Sequence, residues 1–469
     1  MELSIIKKRW SLCILSVFFV SFLFIFLHDQ GQSLITIIPS LGNSDIDNYK
    51  TTQNSSCLVA QEKNSTLQLN TTKETEVSTP AEDELVLKSN GTREVKSEKL
   101  MSNGTMEVKS EKLTSNGAME IKSEKSKEEK CDIFDGMWVY DPKSYPLYHD
   151  HQCPFLSEQV SCQKNGRPDS SYEHWRWKPR GCDIPRFNGT YMLEKLRGKR
   201  MVIIGDSINR NQWESLVCML YASIKPSRAL VNLRGYYRTF RALDYGFSLD
   251  FSWSPFLIKM YETRNRSKVL KLDELSEPKR WKGADVMVFN TGHWWTHTGR
   301  FKRWDYYQDG EKIVQEMEGH SAFETALSTW ARWIDHTVSP TKTSVFFRSI
   351  SPEHKRSNLH QCYNQTQPIT NDNEAYRKTF PAAMVNIVEQ TIKKMRVPVN
   401  YLNVTRLSEY RRDAHTSVYT VRQGKLLNEE QRKQPQLFAD CSHWCLPGLP
   451  DTWNALIHAL LVEPPLFSP

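Results

Sequence analysis

The chain of 469 residues lacks a strong excess of charge of either sign, and one long part of it almost lacks aromatic residues. Its 62 Lys and Arg residues outnumber 54 Asp and Glu residues, for a formal net charge of +8. Because this charge is modest and partly dispersed, we predict no nucleic-acid partner, whereas a weakly acidic polysaccharide is compatible with it. Residues 28–130 contain very few aromatics and are rich in Ser, Thr, Lys and Glu. Such a segment cannot bury enough apolar surface to offset the entropy lost on ordering, so we predict a disordered lumenal stem.

The predicted stem contains a near-exact repeat, whose copies begin at Ser89, Ser102 and Ser115. A structural solenoid usually has longer units with an apolar face. We therefore interpret the repeat as a duplication within a disordered segment.

Before the stem, residues 10–27 form an uncharged apolar run that follows three positively charged residues. The run is close to the roughly 20 residues needed to cross a bilayer, and the preceding charges hold residues 1–9 in the cytosol. A cleaved signal peptide is the alternative, but the run is long for one and no small-x-small cleavage site follows at once. We predict a signal-anchor transmembrane helix over residues 10–27, with the rest of the chain lumenal.

Two further features favour a lumenal and oxidising location. Sequons for N-glycosylation occur throughout the chain after the apolar run, at Asn54, Asn64, Asn70, Asn90, Asn103, Asn188, Asn265, Asn364 and Asn403. Eight cysteines lie from Cys131 onward, and this even number predicts four disulfides whose pairing the spacing leaves open. A metal site in the segment from Cys441 to Cys445 is the alternative. Zinc would need further ligands at a suitable spacing and none is obvious, so we predict no metal.

The region from Cys131 onward has a globular composition. Residues 131–184 are dense in Cys, Trp and turn residues and predict a small disulfide-stapled subdomain. In residues 185–469, apolar strands alternate with amphipathic helices, which predicts an α/β fold with a mainly parallel sheet covered on both faces. The predicted strands are Met201–Ile204, Asp285–Asn290, Ser344–Ile350 and Val399–Leu402, and the helical stripes are Trp213–Leu220, Phe323–Ile334 and Met384–Met395.

The first of these strands ends at a potential nucleophile. Gly205 permits a tight turn after the strand, and Ser207 then lies where a helix begins. Open α/β sheets place their ligand crevices at the carboxyl ends of such strands. The alternative is that Asp206 or Ser207 serves only as the cap of the helix.

A base for this serine is predicted near the end of the chain. Asp440 and His443 are three residues apart, so a helical turn or tight loop would place them on the same side. A carboxylate there would fix the tautomer of the imidazole and leave its other nitrogen free to take the serine proton. A purely structural His443 is one alternative, and the pair Asp413 and His415 is a competing candidate.

Gly-Asp-Ser-Ile after a buried strand, together with a late Asp-x-x-His, resembles the GDSL-type (SGNH) hydrolase fold. The longer motifs "NGRPDSSYEHWRWKPRGCDIPRF", "GDSINRNQWESL", "VFNTGHWWTH" and "DCSHWCLPGLPDTWN" are similar to the plant trichome birefringence-like family. The resemblance covers Cys131 to the C-terminus. Many members carry Glu after "DTWN", whereas this chain has Ala455.

This resemblance implies a three-layer GDSL/SGNH-like sandwich with a small disulfide-rich N-terminal subdomain. It also implies a type II Golgi membrane protein that O-acetylates a plant cell-wall polysaccharide such as xylan or pectin. The implied catalytic residues are Ser207 as nucleophile, His443 as base and Asp440 as acid, with Gly205 and Asn290 at the oxyanion hole. The implied disulfides are Cys131–Cys182, Cys153–Cys218, Cys162–Cys445 and Cys362–Cys441.

We therefore expect acetyl transfer through an acetyl-serine, with no bound cofactor. The expected partners are the polysaccharide acceptor, the Golgi membrane and an acetyl donor, either acetyl-CoA or an intermediate derived from it. An acetyl esterase with the same triad is one alternative. A noncatalytic polysaccharide-binding protein is another, and its candidate stacking residues, for which core packing is the competing interpretation, are Trp175, Trp177, His293, Trp294 and Trp295.

Beside Ser207, we expect Asn209 and Arg210 to line the cleft. Arg210 would contact either an acidic sugar or a structural carboxylate.

Overall fold

The computed structural model describes residues 131–356, 359–360, 362–370 and 382–462. The predicted signal anchor and stem lie outside these residues. Among the helices of the described ranges, none is long and apolar enough to cross a membrane.

The strands and helices are as follows. The strands are β1 (Gly136–Tyr140), β2 (Trp175–Pro179), β3 (Arg200–Gly205), β4 (Ala229–Asn232), β5 (Tyr237–Ala242), β6 (Phe247–Trp253), β7 (Ile258–Glu262), β8 (Lys268–Leu275), β9 (Val286–Phe289), β10 (Tyr306–Asp309), β11 (Lys312–Val314), β12 (Ser344–Arg348), β13 (Lys355–Arg356), β14 (Leu359–His360), β15 (Val399–Leu402), β16 (His415–Ser417), β17 (Val421–Arg422), β18 (Lys425–Leu426) and β19 (Asp440–Trp444). The α-helices are α1 (Gly189–Lys195), α2 (Ser207–Tyr221), α3 (Pro278–Trp281), α4 (Gly319–Thr337), α5 (Ala382–Lys394), α6 (Thr405–Glu409), α7 (Glu429–Arg432), α8 (Pro435–Phe438) and α9 (Leu449–Val462).

A seven-stranded sheet forms the centre of the molecule, in the order β15-β12-β9-β3-β6-β5-β4. The five strands from β15 to β6 are parallel, and β5 and β4 continue the sheet in antiparallel pairing. The four predicted strands all belong to its parallel part. Their carboxyl ends therefore meet at one edge, where Gly205 of β3 pairs with Trp253 of β6.

Helices cover both faces of this sheet because its parallel strands carry apolar residues at consecutive positions, so both faces are apolar. In β3, Met201 and Ile203 pack into the core under α2 and α9, whereas Val202 and Ile204 pack into the core under α4 and α5. The predicted three-layer α/β arrangement is confirmed. A second sheet of four strands, in the order β11-β10-β8-β7, extends the core on the α4 side and was not expected from the sequence.

The N-terminal subdomain packs directly on the α2 and α9 side. Its antiparallel strands β1 and β2 carry Trp138 and Trp177. Trp177 and Ile133 lie in the same apolar cluster as residues of α2 and α9, and the indole of Trp138 donates a hydrogen bond to the carbonyl of Leu407 at 2.8 Å. The subdomain thus shares its core with the sheet domain.

Four disulfides reinforce this packing, and their pairing is the one that the family resemblance implies. They are Cys131–Cys182 within the subdomain, Cys153–Cys218 and Cys162–Cys445 between the subdomain and the sheet domain, and Cys362–Cys441 within the sheet domain.

Candidate active site

The turn from β3 into α2 exposes the hydroxyl of Ser207 while its neighbour caps the helix. The carboxylate of Asp206 accepts the backbone N–H of Ile208 at 2.9 Å, so Asp206 is the N-cap and Ser207 is the first helical residue. Of the two capping alternatives, Asp206 therefore fills the role, and the Ser207 side chain remains available for chemistry.

Gly205 is required in this turn because two groups come close to its Cα. A Cβ at this position would lie 2.7 Å from the carbonyl oxygen of Asn290 and 2.7 Å from the amide nitrogen of Asn209. No side chain can be accommodated without displacing one of them.

The structure brings the three predicted triad residues together. His443 Nε2 lies 2.8 Å from Ser207 Oγ, and His443 Nδ1 lies 2.7 Å from Asp440 Oδ2. With the proton on Nδ1, the imidazole donates to Asp440 and accepts the Ser207 hydroxyl. This is the hydrogen-bond chain that activates a serine as a nucleophile.

Asp440 and His443 were expected in a helical turn or tight loop, whereas both belong to strand β19. The carboxylate of Asp440 bends this strand: its Oδ1 accepts the backbone N–H groups of Ser442 at 2.9 Å and His443 at 3.1 Å. The pairing of β19 with β16 shifts register in the same stretch. The carboxylate thus creates the local turn that brings the imidazole to its own second oxygen.

Asp440 is ionised in this setting. Burial raises its pKa, but His443, the Lys355 ammonium and the Ser442 N–H together outweigh burial and hold the pKa far below its ordinary value. An ionised carboxylate keeps the proton of the imidazole on Nδ1 and stabilises the imidazolium that forms when Ser207 is deprotonated.

Two disulfides hold the strand that carries the imidazole. Cys441 and Cys445 lie on either side of His443 and bond to Cys362 and Cys162. Because these cysteines are oxidised, the alternative metal site of the segment is not formed. In the described residues, no group of three or more His, Cys, Asp or Glu side chains is arranged to hold a metal ion.

Comparison with known proteins identifies the family. Residues 184–460 match the GDSL/SGNH-like acyl-esterase family found in Pmr5 and Cas1p, and residues 129–183 match the PMR5 N-terminal domain. The chain belongs to this acyl-esterase family.

Relatives from Arabidopsis thaliana carry the name predicted from the motifs. Trichome birefringence-like 42 is 43% identical over 339 residues, which cover 71% of this chain and 90% of that protein. Trichome birefringence-like 36 is 41% identical over 340 residues, which cover 72% of this chain and 87% of that protein. Trichome birefringence is 43% identical over 350 residues, but the match covers only 56% of its own length and 71% of this chain. The predicted membership of the trichome birefringence-like family is confirmed.

Within this acyl-esterase domain, the backbone N–H of Ser207 is a candidate oxyanion donor. It belongs to the first turn of α2. The N–H groups of this turn have no acceptor within the helix, and they form the positive end of the helix dipole. Asn290, which was predicted with Gly205 at the oxyanion hole, is fully buried. Its amide nitrogen lies 3.0 Å from the carbonyl of Arg348 and 3.5 Å from that of Ser349, so it would have to leave these acceptors to bind an oxyanion.

Asn209 does not line the cleft as expected, because its side chain is fully buried under the β3–α2 turn. Its oxygen accepts two hydrogen bonds from the guanidinium of Arg348, at 3.1 and 2.6 Å, and its nitrogen donates to the carbonyl of Ile204. Burial lowers the pKa of Arg348 to about 10 and Asp206 opposes this shift, so the guanidinium stays charged. Sequence reasoning missed Arg348, although an arginine within the apolar segment "SVFFRSI" is unusual.

His293 supports the turn from the other side. Its Nε2 lies 2.8 Å from the carbonyl of Ser351, and its Nδ1 lies 3.6 Å from the carboxylate of Asp206. Burial lowers the pKa of His293, but Asp206 outweighs it and the net shift is upward. A buried imidazole in this position anchors the residue before the nucleophile and offers no face to a sugar.

The tryptophans predicted as stacking platforms have mainly structural positions. Trp177 donates to the carbonyl of Ile133, and Trp295 donates to the hydroxyl of Thr291; both are buried. Trp175 is partly buried against Tyr140 in the N-terminal subdomain. Trp294 is also partly buried, with its ring edge-on to Trp253 and Phe256.

The competing acid and base pair is not assembled. Asp413 forms a buried ion pair with Arg411, at 3.0 Å. His415 instead lies 2.6 Å from a nitrogen of His354 and stacks on Trp444.

One residue of the site comes from the N-terminal subdomain and was missed. Gln159 Nε2 lies 3.4 Å from His443 Nδ1, and its oxygen accepts a hydrogen bond from Arg210. The implied disulfide Cys162–Cys445 was the available signal, because it places the segment before Cys162 next to the segment that carries His443.

Proposed function

We propose that this protein transfers an acetyl group from a donor to a hydroxyl of a plant cell-wall polysaccharide, such as xylan or pectin. The observation that carries the proposal is the continuous hydrogen-bond chain from Ser207 through His443 to Asp440. The acyl-esterase domain and the trichome birefringence-like relatives support acyl chemistry. The proposed setting is the lumenal side of the Golgi membrane, with the chain anchored once as a type II protein.

In the first half-reaction, Ser207 Oγ attacks the acetyl carbonyl of the donor and His443 Nε2 takes the hydroxyl proton. The resulting oxyanion is stabilised by the Ser207 N–H, a contribution of about 2–4 kcal/mol for one such donor. Collapse expels the donor group, which takes the proton from His443, and leaves acetyl-serine. Acetyl-CoA or an intermediate derived from it would serve as the donor.

In the second half-reaction, a sugar hydroxyl attacks the acetyl-serine carbonyl and gives its proton to His443 Nε2. Collapse of this intermediate releases the acetylated sugar, and Ser207 Oγ recovers the proton from the imidazole. Asp440 stabilises the imidazolium in both halves. All proton transfers therefore pass through one nitrogen atom.

The same acetyl-serine would be hydrolysed if water replaced the sugar, and this makes a polysaccharide acetyl esterase the second candidate. The description of the matched domain as an acyl-esterase favours it specifically. The noncatalytic alternative gains no comparable support, because two of its candidate stacking residues, Trp177 and Trp295, are buried.

The test incubates the full-length chain with an acetyl donor and de-acetylated xylan, mannan or pectin oligosaccharides, and mass spectrometry measures the acetyl groups gained. We expect gain on at least one acceptor, and none with Ser207→Ala. Loss of acetyl from acetylated oligosaccharides, without gain on any acceptor, would establish the esterase instead. If neither gain nor loss depends on Ser207, the acyl-transfer proposal is wrong.

A further inference from the structure

Two arginines share one carboxylate on the helix turn that follows the nucleophile. Arg238 of β5 lies 3.2 Å from Glu214 Oε1, and Arg210 of α2 lies 3.5 Å from the same oxygen. The other oxygen of Glu214 accepts the backbone N–H and the hydroxyl of Ser157, at 3.2 and 2.7 Å. Glu214 is thus fully engaged, and the cluster keeps an excess of one positive charge.

The excess charge comes with an unused donor. The Nε of Arg238 is buried and has no hydrogen-bond partner in the part of the chain that the structure describes. A buried N–H of a charged group without a partner is unfavourable, and an anion that accepted it would relieve this cost. Arg210 and Arg238 each keep about a fifth of their side-chain surface exposed, so solvent reaches the cluster.

The cluster lies next to the triad. Arg210 is three residues after Ser207 in α2, and this spacing puts both on neighbouring turns of one helix face. The guanidinium of Arg210 donates to Gln159, whose own amide nitrogen lies 3.4 Å from His443 Nδ1. Only Gln159 therefore separates the Arg210 guanidinium from the imidazole.

An exposed aromatic residue precedes the strand that carries Arg238. Tyr236 precedes β5, and 78% of its surface is exposed. Its carbonyl accepts the N–H of Trp253, the residue that pairs with Gly205, so it lies at the same sheet edge as Ser207. Tyr236 lies in the turn immediately before β5, two residues before Arg238 in the chain. A sugar ring packs well on an aromatic face, and a carboxylate fits the planar fork of a guanidinium.

We propose that Arg210 and Arg238 form a subsite for the carboxylate of an acidic sugar unit, with Tyr236 packing against its ring. The sugar unit would be a neighbour of the one whose hydroxyl is acetylated, so the acceptor is a uronate-containing polysaccharide. This inference rests on the proposed function. The single excess charge matches a monoanionic carboxylate, and the aromatic neighbour favours a sugar over a phosphate of the acetyl donor.

A binding experiment tests the subsite without chemistry. The full-length Ser207→Ala chain is titrated calorimetrically with trigalacturonate and with xylotriose. We expect trigalacturonate to bind about tenfold more tightly, and Arg238→Gln in the same background to abolish the preference. The matched control is Arg241→Gln, an exposed arginine three residues further along β5 that should leave the preference intact. Equal affinities of Ser207→Ala for the two trimers would overturn the proposal.

A transfer experiment with the otherwise wild-type chain identifies the source of the anion. Arg238→Gln should lower the ratio of kcat/KM for acidic over neutral acceptors about tenfold, mainly through KM, and Arg238→Lys should recover part of it. Equal losses on both acceptors, or slower acetyl-serine formation from the donor alone, would refute the subsite. Tyr236→Ala, at an exposed position, repeats the test if Arg238→Gln does not fold. A binding preference without any acetyl transfer would instead reject only the proposed function.

Discussion

At the residue scale, Gly205 shows how closely the chain approaches itself beneath the nucleophile. A Cβ there would meet a backbone carbonyl of Asn290 and the amide of Asn209, which is itself held by the buried Arg348. The backbone carbonyl cannot move without disturbing the end of β9. The position of Ser207 therefore depends on the absence of a Cβ atom at Gly205, two residues earlier.

We expect Gly205→Ala to lower the free energy of unfolding by about 1–3 kcal/mol, because the added methyl overpacks a rigid site. Turnover of any acyl substrate should fall with it, as the Asn209 amide is pushed away from Ile204. The control is Gly319→Ala at the start of α4, where a Cβ would meet no atom within 4 Å. Thermal unfolding and esterase assays on both variants check this, and a fully active Gly205→Ala chain would contradict it.

Asp440→Asn should reduce turnover by about four orders of magnitude while the protein stays folded. An asparagine still accepts from the Ser442 and His443 N–H groups through its oxygen. Its amide nitrogen then faces His443 Nδ1 and selects the tautomer that cannot accept the Ser207 proton. Asp309→Asn, at the exposed end of β10, is the control. Retention of near-normal turnover in Asp440→Asn would remove Asp440 from the triad.

At the element scale, strand β19 carries the proposed base His443 between two covalent anchors. Its Cys441 and the following Cys445 bond to parts of the chain that precede it by 79 and 283 residues. The Cys162–Cys445 bond also holds the subdomain segment that carries Gln159 against His443. The subdomain therefore contributes a residue to the candidate active site.

Replacing both Cys162 and Cys445 by Ser should lower the free energy of unfolding by about 2–5 kcal/mol, because the bond closes a long loop. It should also lower turnover, since β19 loses one anchor beside the imidazole. The Cys131–Cys182 pair, which lies within the subdomain, provides the control: its removal should cost stability with a smaller loss of turnover. Unfolding curves measure the stability of the two double variants, and steady-state assays measure their turnover. Equal losses of turnover in the two variants would count against the anchoring role.

The elements show what sequence could and could not predict. The apolar runs of β3, β9, β12 and β15 predicted the parallel sheet, because strands buried on both faces need apolar residues at consecutive positions. The Asp440–His443 spacing predicted that the two side chains meet, and they do, but in a strand that the Asp440 carboxylate bends. Gln159 was missed because no local pattern marks it, and only the implied Cys162–Cys445 bond pointed to its segment.

At the scale of the whole molecule, one carboxyl joins three parts of the structure. Asp451 in α9 accepts hydrogen bonds from Ser215 of α2 at 2.6 Å, from Tyr148 of the subdomain at 3.2 Å and from the N–H of Gly448 at 2.8 Å. Burial raises the pKa of Asp451 to about 7, although these three donors oppose the shift.

A raised pKa in the folded state means that the protonated carboxyl is favoured by folding. The stabilisation is complete below the unfolded pKa of about 4 and is lost as the pH rises to about 7. Relative to wild type, Asp451→Asn should therefore gain on the order of 2–4 kcal/mol of unfolding free energy between pH 4 and pH 7.

Chemical unfolding of both proteins at pH 4, 5.5, 7 and 8 measures this difference. Buried histidines with lowered pKa values, such as His354 and His458, titrate in both proteins. Their contributions to the unfolding free energy therefore cancel in the difference between the two proteins. The lost hydrogen bonds of the variant add an offset that does not vary with pH. A difference that stays constant from pH 4 to pH 7 would show that Asp451 is ionised throughout.

The late position of the imidazole has a consequence for how an active molecule is made. Ser207 is synthesised 236 residues before His443, an interval of roughly 10–50 s on the ribosome. During that time the nucleophile turn has no base beside it, and Cys162 has no Cys445 to bond with. The hydrogen-bond chain from Ser207 to Asp440 therefore cannot form until β19 has docked. Any reaction that depends on this hydrogen-bond chain must wait for that docking.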